Sequence, residues 1–247
     1  MVVQIANNTV LITGGATGLG FALAQSLLEL GNEVIICGRR QDRLLAVKEA
    51  NPAVHIRVSD VSNREERGDL VAWLSNNFPR LNVLVNNAGV QHLFNFRNEP
   101  SELIKADEEI ATNFSAPIHL TTMLLPLLES QDEAAILNIS SGLGFTPLAQ
   151  MPVYCATKAA LHSLTMSLRY QLRETRVRVF EIIPPLVQSE LGSTHRPKEM
   201  NESAMQAEVA VAEIIAALSS NIMEVAIGEA ANLRNKRDAL FAVLNRS

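Results

Sequence analysis

Short runs of consecutive apolar residues take turns along the chain with longer stretches in which apolar residues recur every three or four positions. The first pattern predicts strands buried on both faces, and the second predicts helices that cover them. Val10, Leu11 and Ile12 form the first run, and Phe21, Leu23, Ala24, Leu27, Leu28 and Leu30 follow at helical spacing until Gly31 ends that helix. Further strands are predicted at 33–37, 54–58, 81–85, 135–139, 177–183 and 224–228. Helices are predicted at 63–77, at 101–128 with bends near Pro117 and Pro126, through the segment that carries Tyr154 and Lys158, and at 205–218 and 232–245. This alternation predicts one doubly wound α/β domain over residues 1–247, with a mostly parallel seven-stranded sheet. In such a sheet the ligand lies outside the carboxyl ends of the strands.

Composition narrows the class. A chain of 247 residues with 47% hydrophobic and 19% charged residues fits a globular protein, and a net charge of −5 leaves no electrostatic footprint for nucleic acid. Cys37 and Cys155 fall in a predicted strand and a predicted helix without metal-ligand spacing, so they are expected as buried reduced thiols and no metal site is expected. Residues 134–157 carry no charge, but Asn138, Ser140, Ser141, Gly142, Pro147 and Pro152 interrupt the stretch, so no transmembrane helix is expected. Met1 to Ile5 lack the basic flank and long apolar core of a secretory signal, which leads to an expected cytoplasmic location.

Two segments carry chemistry. Between the first strand and helix stand Gly14, Thr17, Gly18, Leu19 and Gly20. Glycines there allow a tight turn and a close backbone approach, and the helix start offers unpaired N–H groups to a pyrophosphate. In a nucleotide-binding fold the tip of the second strand meets the adenosine ribose, and here Gly38, Arg39 and Arg40 stand without an acid. Arg39 suits a 2′-phosphate, which favours NADP over NAD.

The second segment places Tyr154 and Lys158 four residues apart, hence on one helix face. A free phenol has a pKa of roughly 10, and a neighbouring cation favours its anion. Such a phenol can exchange a proton with an alcohol/carbonyl pair if a cofactor carries the hydride. Thirteen residues before Tyr154, the strand at 135–139 delivers Ser141 at its tip, placed to hydrogen-bond the reacting oxygen.

Ser141, Tyr154 and Lys158 together resemble the active site of the short-chain dehydrogenase/reductase family, and the resemblance runs from Thr9 to about Ala230. The glycine turn from Thr13 to Gly20 is similar to the family's widely spaced version, and Asn86, Asn87, Ala88 and Gly89 match its segment after the fourth strand. The resemblance implies a Rossmann-type fold and hydride transfer between NADP(H) and a small carbonyl or alcohol substrate. It assigns Ser141, Tyr154, Lys158 and Asn113 to catalysis, with Asn113 ordering a water that leads to the lysine. Asp60 and Val61 would read the adenine edge, with Asp60 also suited to cap the following helix. Asn87, Ala88, Gly89, Pro184, Val187 and Ser189 would lie against the cofactor.

The chain departs from the family pattern at Pro185, where a glycine is usual, and at Ser189, where a threonine is usual. The Pro-Pro variant resembles a bacterial branch associated with D-alanine/teichoic-acid operons. A homodimer or homotetramer packed through 101–128 and the catalytic helix is implied, and the short polar segment with Gly192, His195 and Pro197 is expected to form a substrate lid at about 190–204. His92, Phe94 and Phe96 rim the pocket or pack, and His55 and His119 are expected to be structural. The rival reading is a non-catalytic NADP(H)-binding sensor or structural partner, and a dehydratase or epimerase on the same fold is a weaker third.

Overall fold

The computed structural model describes residues 4–97, 100–192 and 202–246. Seven strands, all parallel, form one sheet in the order β3-β2-β1-β4-β5-β6-β7. They are β1 Thr9–Thr13, β2 Glu33–Gly38, β3 His55–Val58, β4 Leu81–Asn86, β5 Ala134–Ile139, β6 Val177–Ile183 and β7 Glu224–Ala226. The helices are α1 Gly18–Glu29, α2 Gln41–Ala50, α3 Arg64–Asn77, α4 Leu103–Ile110, α5 Ala116–Glu129, α6 Pro152–Gln171, α7 Ala207–Ser219, α8 Glu229–Lys236 and α9 Phe241–Leu244. This is the Rossmann-type architecture that the alternating pattern predicts.

Both faces of the sheet are covered, which explains why its strands read as near-continuous apolar runs. Side chains alternate between two cores. Val10, Ile12, Val34 and Ile36 join Leu23, Leu27 and Ile214 on one face, while Leu11, Ile35 and Leu84 join Leu70, Leu74, Leu120 and Leu124 on the other. The order reverses between β1 and β4, and a crevice opens there at the carboxyl ends of the strands.

Three elements differ from the sequence-based expectation, each for a local reason. The helix expected over 101–128 is divided into a 3₁₀ turn at Pro100–Glu102, α4, a π-helical turn at Ala111–Ser115, and α5. Pro117 has no N–H for the Asn113 carbonyl four residues back, so the chain widens before the proline. Pro126 causes no break: α5 runs through it to Glu129, with the Thr122 carbonyl lacking its backbone donor. The closing helix expected over 232–245 becomes α8, a 3₁₀ turn at Arg237–Leu240, and α9. Thr146 Oγ1 hydrogen-bonds the carbonyls of Leu233 and Arg237, both at 3.0 Å, and Arg237 takes φ of +45°. Finally, Met205 pairs with Val187 in an isolated parallel bridge, so α7 starts only at Ala207.

Candidate active site

A cleft of about 540 Å³ runs across the carboxyl ends of the strands. Gly14, Thr17, Gly18, Leu19 and Gly20 line one part of it. Gly14 and Gly18 adopt φ of +64° and +56°, the left-handed region that glycine enters without strain. At Gly20 the requirement is space: a Cβ there would lie 2.4 Å from Asn87 Nδ2 and 2.6 Å from the Gly14 carbonyl oxygen. Asn87 Nδ2 donates to the carbonyls of Thr13 and Gly14 at 2.9 and 3.1 Å, and Thr13 Oγ1 accepts from the N–H groups of Asn87 and Ala88 at 3.0 Å. The turn is thereby clamped to the tip of β4, and Asn87, Ala88 and Gly89 line the same cleft. Thr112, on the π-helical turn, also lines it, and its buried hydroxyl has no hydrogen-bond partner among the described residues. The bare backbone cradle and this unpartnered hydroxyl fit a dinucleotide.

Arg39, Arg40, Asp60 and Val61 line the far end. Arg39 meets Glu108 at 2.6 Å and lies 3.9 Å from Asp60, while Arg40 pairs with Glu190 and reaches Thr17 Oγ1 at 3.2 Å. Arg43 joins Glu190 at 2.9 Å. The Arg40 hydrogen bond holds the Glu190 carboxyl below its ordinary value. At Glu108 burial acts upward, but the Arg39 and His92 hydrogen bonds and charges outweigh it and leave the pKa lowered. The capping role expected of Asp60 is not what forms. Asp60 Oδ1 accepts from Ser62 N and Oγ at 2.8 and 2.7 Å, and Asn63 caps α3 by accepting from Glu65 N and Glu66 N. Asp60 is engaged in its own turn, three residues too early in the chain to reach those N–H groups.

Ser141, Tyr154 and Lys158 line the middle of the cleft, beyond the glycine turn. Ser141 Oγ accepts from Leu143 N at 3.2 Å, which orients the hydroxyl and leaves its O–H to donate. Tyr154 and Lys158 are 5% and 4% exposed, and Lys158 Nζ lies 5.8 Å from the centre of the Tyr154 ring. The ammonium donates to the Ile139 carbonyl at 2.8 Å. Burial pushes its pKa down to about 8, with the Glu181 charge acting in the opposite direction. Asn113 stands behind the cleft, not on it. Its Nδ2 donates to Val90 O at 2.9 Å and to Thr157 Oγ1 at 3.2 Å, and its Oδ1 accepts from Val90 N at 2.9 Å. It ties the strand tip that carries Gly89 to the helix that carries Lys158.

Pro184, Val187 and Ser189 border the cleft together with Pro185, Leu186 and Leu191, and no peptide bond there is cis. Leu143, Leu148, Met151, Leu233 and Leu244 add an apolar wall beside Tyr154. Of the lid expected at 190–204, residues 193–201 lie outside the described residues. Phe94 is buried whereas Phe96 is exposed, and both border a separate hollow with His92. His55 meets Phe78 edge-on, and His119 meets Arg67 at 3.2 Å. Burial drives the Cys37 and Cys155 thiols up to about 12 and about 11.

The sequence reading missed two buried carboxylates. Glu109 accepts from His92 N at 2.6 Å and from the Tyr154 N–H in the first turn of α6, and burial raises its pKa. Its position four residues before Asn113, hence on the same face, was the available signal. Glu181 lies inside β6, and its signal was a charge within an apolar strand.

The 51% identical "Uncharacterized oxidoreductase DltE" of Bacillus subtilis (strain 168) aligns over 79% of this chain and 78% of its own length. A short chain dehydrogenase from Burkholderia cenocepacia J2315, solved with NADP, superposes with a TM-score of 0.84 at 26% identity, covering 99% of this chain and 100% of that one. A short chain dehydrogenase/reductase from Burkholderia phymatum, solved with NAD, shares the fold with a TM-score of 0.84 at 20% identity, covering 99% and 98%. The family profile for short chain dehydrogenases matches residues 8–200, which takes in the glycine turn, the Ser141 strand tip and the Tyr154–Lys158 helix; the chain belongs to that family.

Proposed function

We propose that this protein is an NADP(H)-dependent oxidoreductase that interconverts an uncharged carbonyl compound and its alcohol. The observation that carries the reading is a buried Tyr154–Lys158 pair beside Ser141, on the same cleft as a glycine turn clamped to β4. When bound, NADP(H) supplies or accepts the hydride. Tyr154 then gives the proton to the developing alkoxide, or takes it in the reverse direction. Ser141 donates a hydrogen bond to the same oxygen. Lys158, cationic in a desolvated site, favours the phenolate and binds the nicotinamide ribose. Asn113 holds the strand tip and α6 in register and supports the water path to Lys158.

The preference for NADP rests on Arg39 and Arg40 at the tip of β2, where no carboxylate of that strand tip is present to take a ribose 2′-hydroxyl. Glu108, Asp60 and Glu190, which face these arginines, act as exchangeable partners that a 2′-phosphate replaces. NADP was also the ligand of the Burkholderia cenocepacia relative. The leucine-rich wall around Met151 favours an apolar substrate. Exposed Leu103, Ile104 and Ile110 on α4, Met123 on α5, and Met166 and Tyr170 on α6 support a homodimer or homotetramer. We assign the chain to one domain in the cytoplasm; no helix among the described residues is long and apolar enough to cross a membrane. The test is NADPH absorbance followed against a panel of aldehydes and ketones. Substrate-dependent oxidation supports the reading, and tight NADPH binding without turnover on any of them favours a cofactor sensor.

A further inference from the structure

Gly142 to Met151 join the strand tip that presents Ser141 to the helix that presents Tyr154, and the segment from α8 to Asn245 is stitched onto them. Gly142 lets α8 come close, since a Cβ there would lie 2.9 Å from Leu233 Cδ1 and 3.1 Å from Ala230 Cα. Thr146, fully buried, shares its hydroxyl hydrogen between the carbonyls of Leu233 and Arg237, both at 3.0 Å, and Phe145 beside it shares an apolar cluster with Ala230. Asn245, just past α9, makes the remaining attachment. Its Oδ1 accepts from Ala149 N at 2.6 Å, and its Nδ2 donates to Pro147 O at 3.0 Å and to Phe241 O at 2.8 Å. One amide thus spends both donor hydrogens and an acceptor on fastening α9 to this loop.

The residue between the two loop groups that Asn245 grips is Leu148. Its N–H donates to Cys155 Sγ at 3.3 Å and its carbonyl accepts from Met151 N at 3.0 Å, which fixes it from the other side at the start of α6. Leu143, Leu148, Met151, Tyr154 and Cys155 form one apolar cluster. Four of these, all but Cys155, line the cleft together with Leu233 and Leu244. Asn245 therefore ties Leu244 to the side of the cleft that holds the reacting phenol. The rest of α9 has little to hold it, for Phe241 and Val243 are 43% and 55% exposed and Ala242 is exposed as well. An element that buries so little takes its position from the few contacts it makes.

We propose that Leu244 is a wall of the substrate pocket that limits how long an aliphatic chain the carbonyl compound can carry, and that Asn245 is the positioning residue that holds Leu244 there. This deepens the redox reading and rests on it, but it is tested without turnover. Calorimetry measures the binding of straight-chain methyl ketones of increasing length to protein saturated with NADP⁺, a pairing in which neither partner has a hydride to give. In the parent, affinity should climb about fourfold per buried methylene and then drop once the tail meets Leu244. Leu244→Ala shortens the wall, so the drop should move to ketones longer by roughly two or three methylenes, and a ketone just past the parent's limit should bind about tenfold more tightly. Leu244→Phe should move the drop the other way, and loss of structure does not produce opposite shifts. Asn245→Ala should release the limit as Leu244→Ala does, although residue 244 is untouched. A limit unmoved by both Leu244 variants, binding that ignores chain length, or no binding of any ketone overturns the assignment of Leu244. A limit unmoved in Asn245→Ala overturns the assignment of Asn245. A parent that shows the limit but reduces none of these ketones with NADPH would instead overturn the redox reading alone.

Discussion

Replacing Lys158 with methionine should abolish turnover and yet strengthen the fold at neutral pH. The ammonium is buried, and its pKa falls from 10.5 to about 8. At about 1.4 kcal/mol per unit, burying the charged form costs about 3 kcal/mol. At and below about pH 8 the lysine is protonated in both folded and unfolded chains, so the whole cost is present. Between about 8 and 10.5 the unfolded chain binds more protons, and parent stability rises with pH; above 10.5 both forms are neutral and the cost has gone. Methionine fills similar space but forfeits the hydrogen bond to the Ile139 carbonyl, worth about 1–2 kcal/mol. The net gain at neutral pH is then about 1–2 kcal/mol, or roughly 2–8 °C in Tm for a chain of this size. Urea unfolding of both proteins at neutral pH and again near pH 10.5 reads it directly. The variant should be the more stable at neutral pH and should lose that advantage in alkali. A variant that is less stable at neutral pH, by a margin independent of pH, would refute the reasoning.

Two further variants probe other parts of the site. Asn113→Ala removes three hydrogen bonds and leaves both polar backbone groups of Val90 without that partner, so stability should fall by about 3 kcal/mol and Tm by roughly 6–12 °C; a loss below about 0.5 kcal/mol in urea unfolding would show that the side chain does not brace the cleft. The parent should bind NADPH at least about tenfold more tightly than NADH by fluorescence titration, and Gly38→Asp with Arg39→Ala should reverse that order; equal dissociation constants in the parent would remove Arg39 from its assigned role.

The sheet was legible because its strands are buried on both faces and so announce themselves as apolar runs such as Val34, Ile35 and Ile36. The glycine turn was legible for the opposite reason: positions that exclude a Cβ leave a composition no helix or strand would choose. Local departures were harder. The π-helical turn follows from one missing N–H at Pro117; sequence pattern suggested bends near Pro117 and Pro126, and only the first has one. The break at Arg237 depends on Thr146, some ninety residues away, whose hydroxyl draws the carbonyl out. Glu181 was passed over because its partners come from β5 and α6, and only the folded chain brings Ser140 and His162 to it. Asn113 was picked out by the family resemblance and sits in irregular helix, but its side chain faces Val90 and Thr157 behind the cleft.

The central claim is that the Tyr154 phenol moves the proton while the rest of the cleft holds the cofactor. Tyr154→Phe removes only the phenol oxygen, so the decisive measurement is kcat for an aldehyde or ketone that the parent reduces, taken beside the NADPH dissociation constant of both proteins. A drop of about 10²–10⁴-fold in kcat with NADPH binding unchanged is the predicted result. Activity within about threefold of the parent, far inside the usual range for a lost general acid, would contradict it.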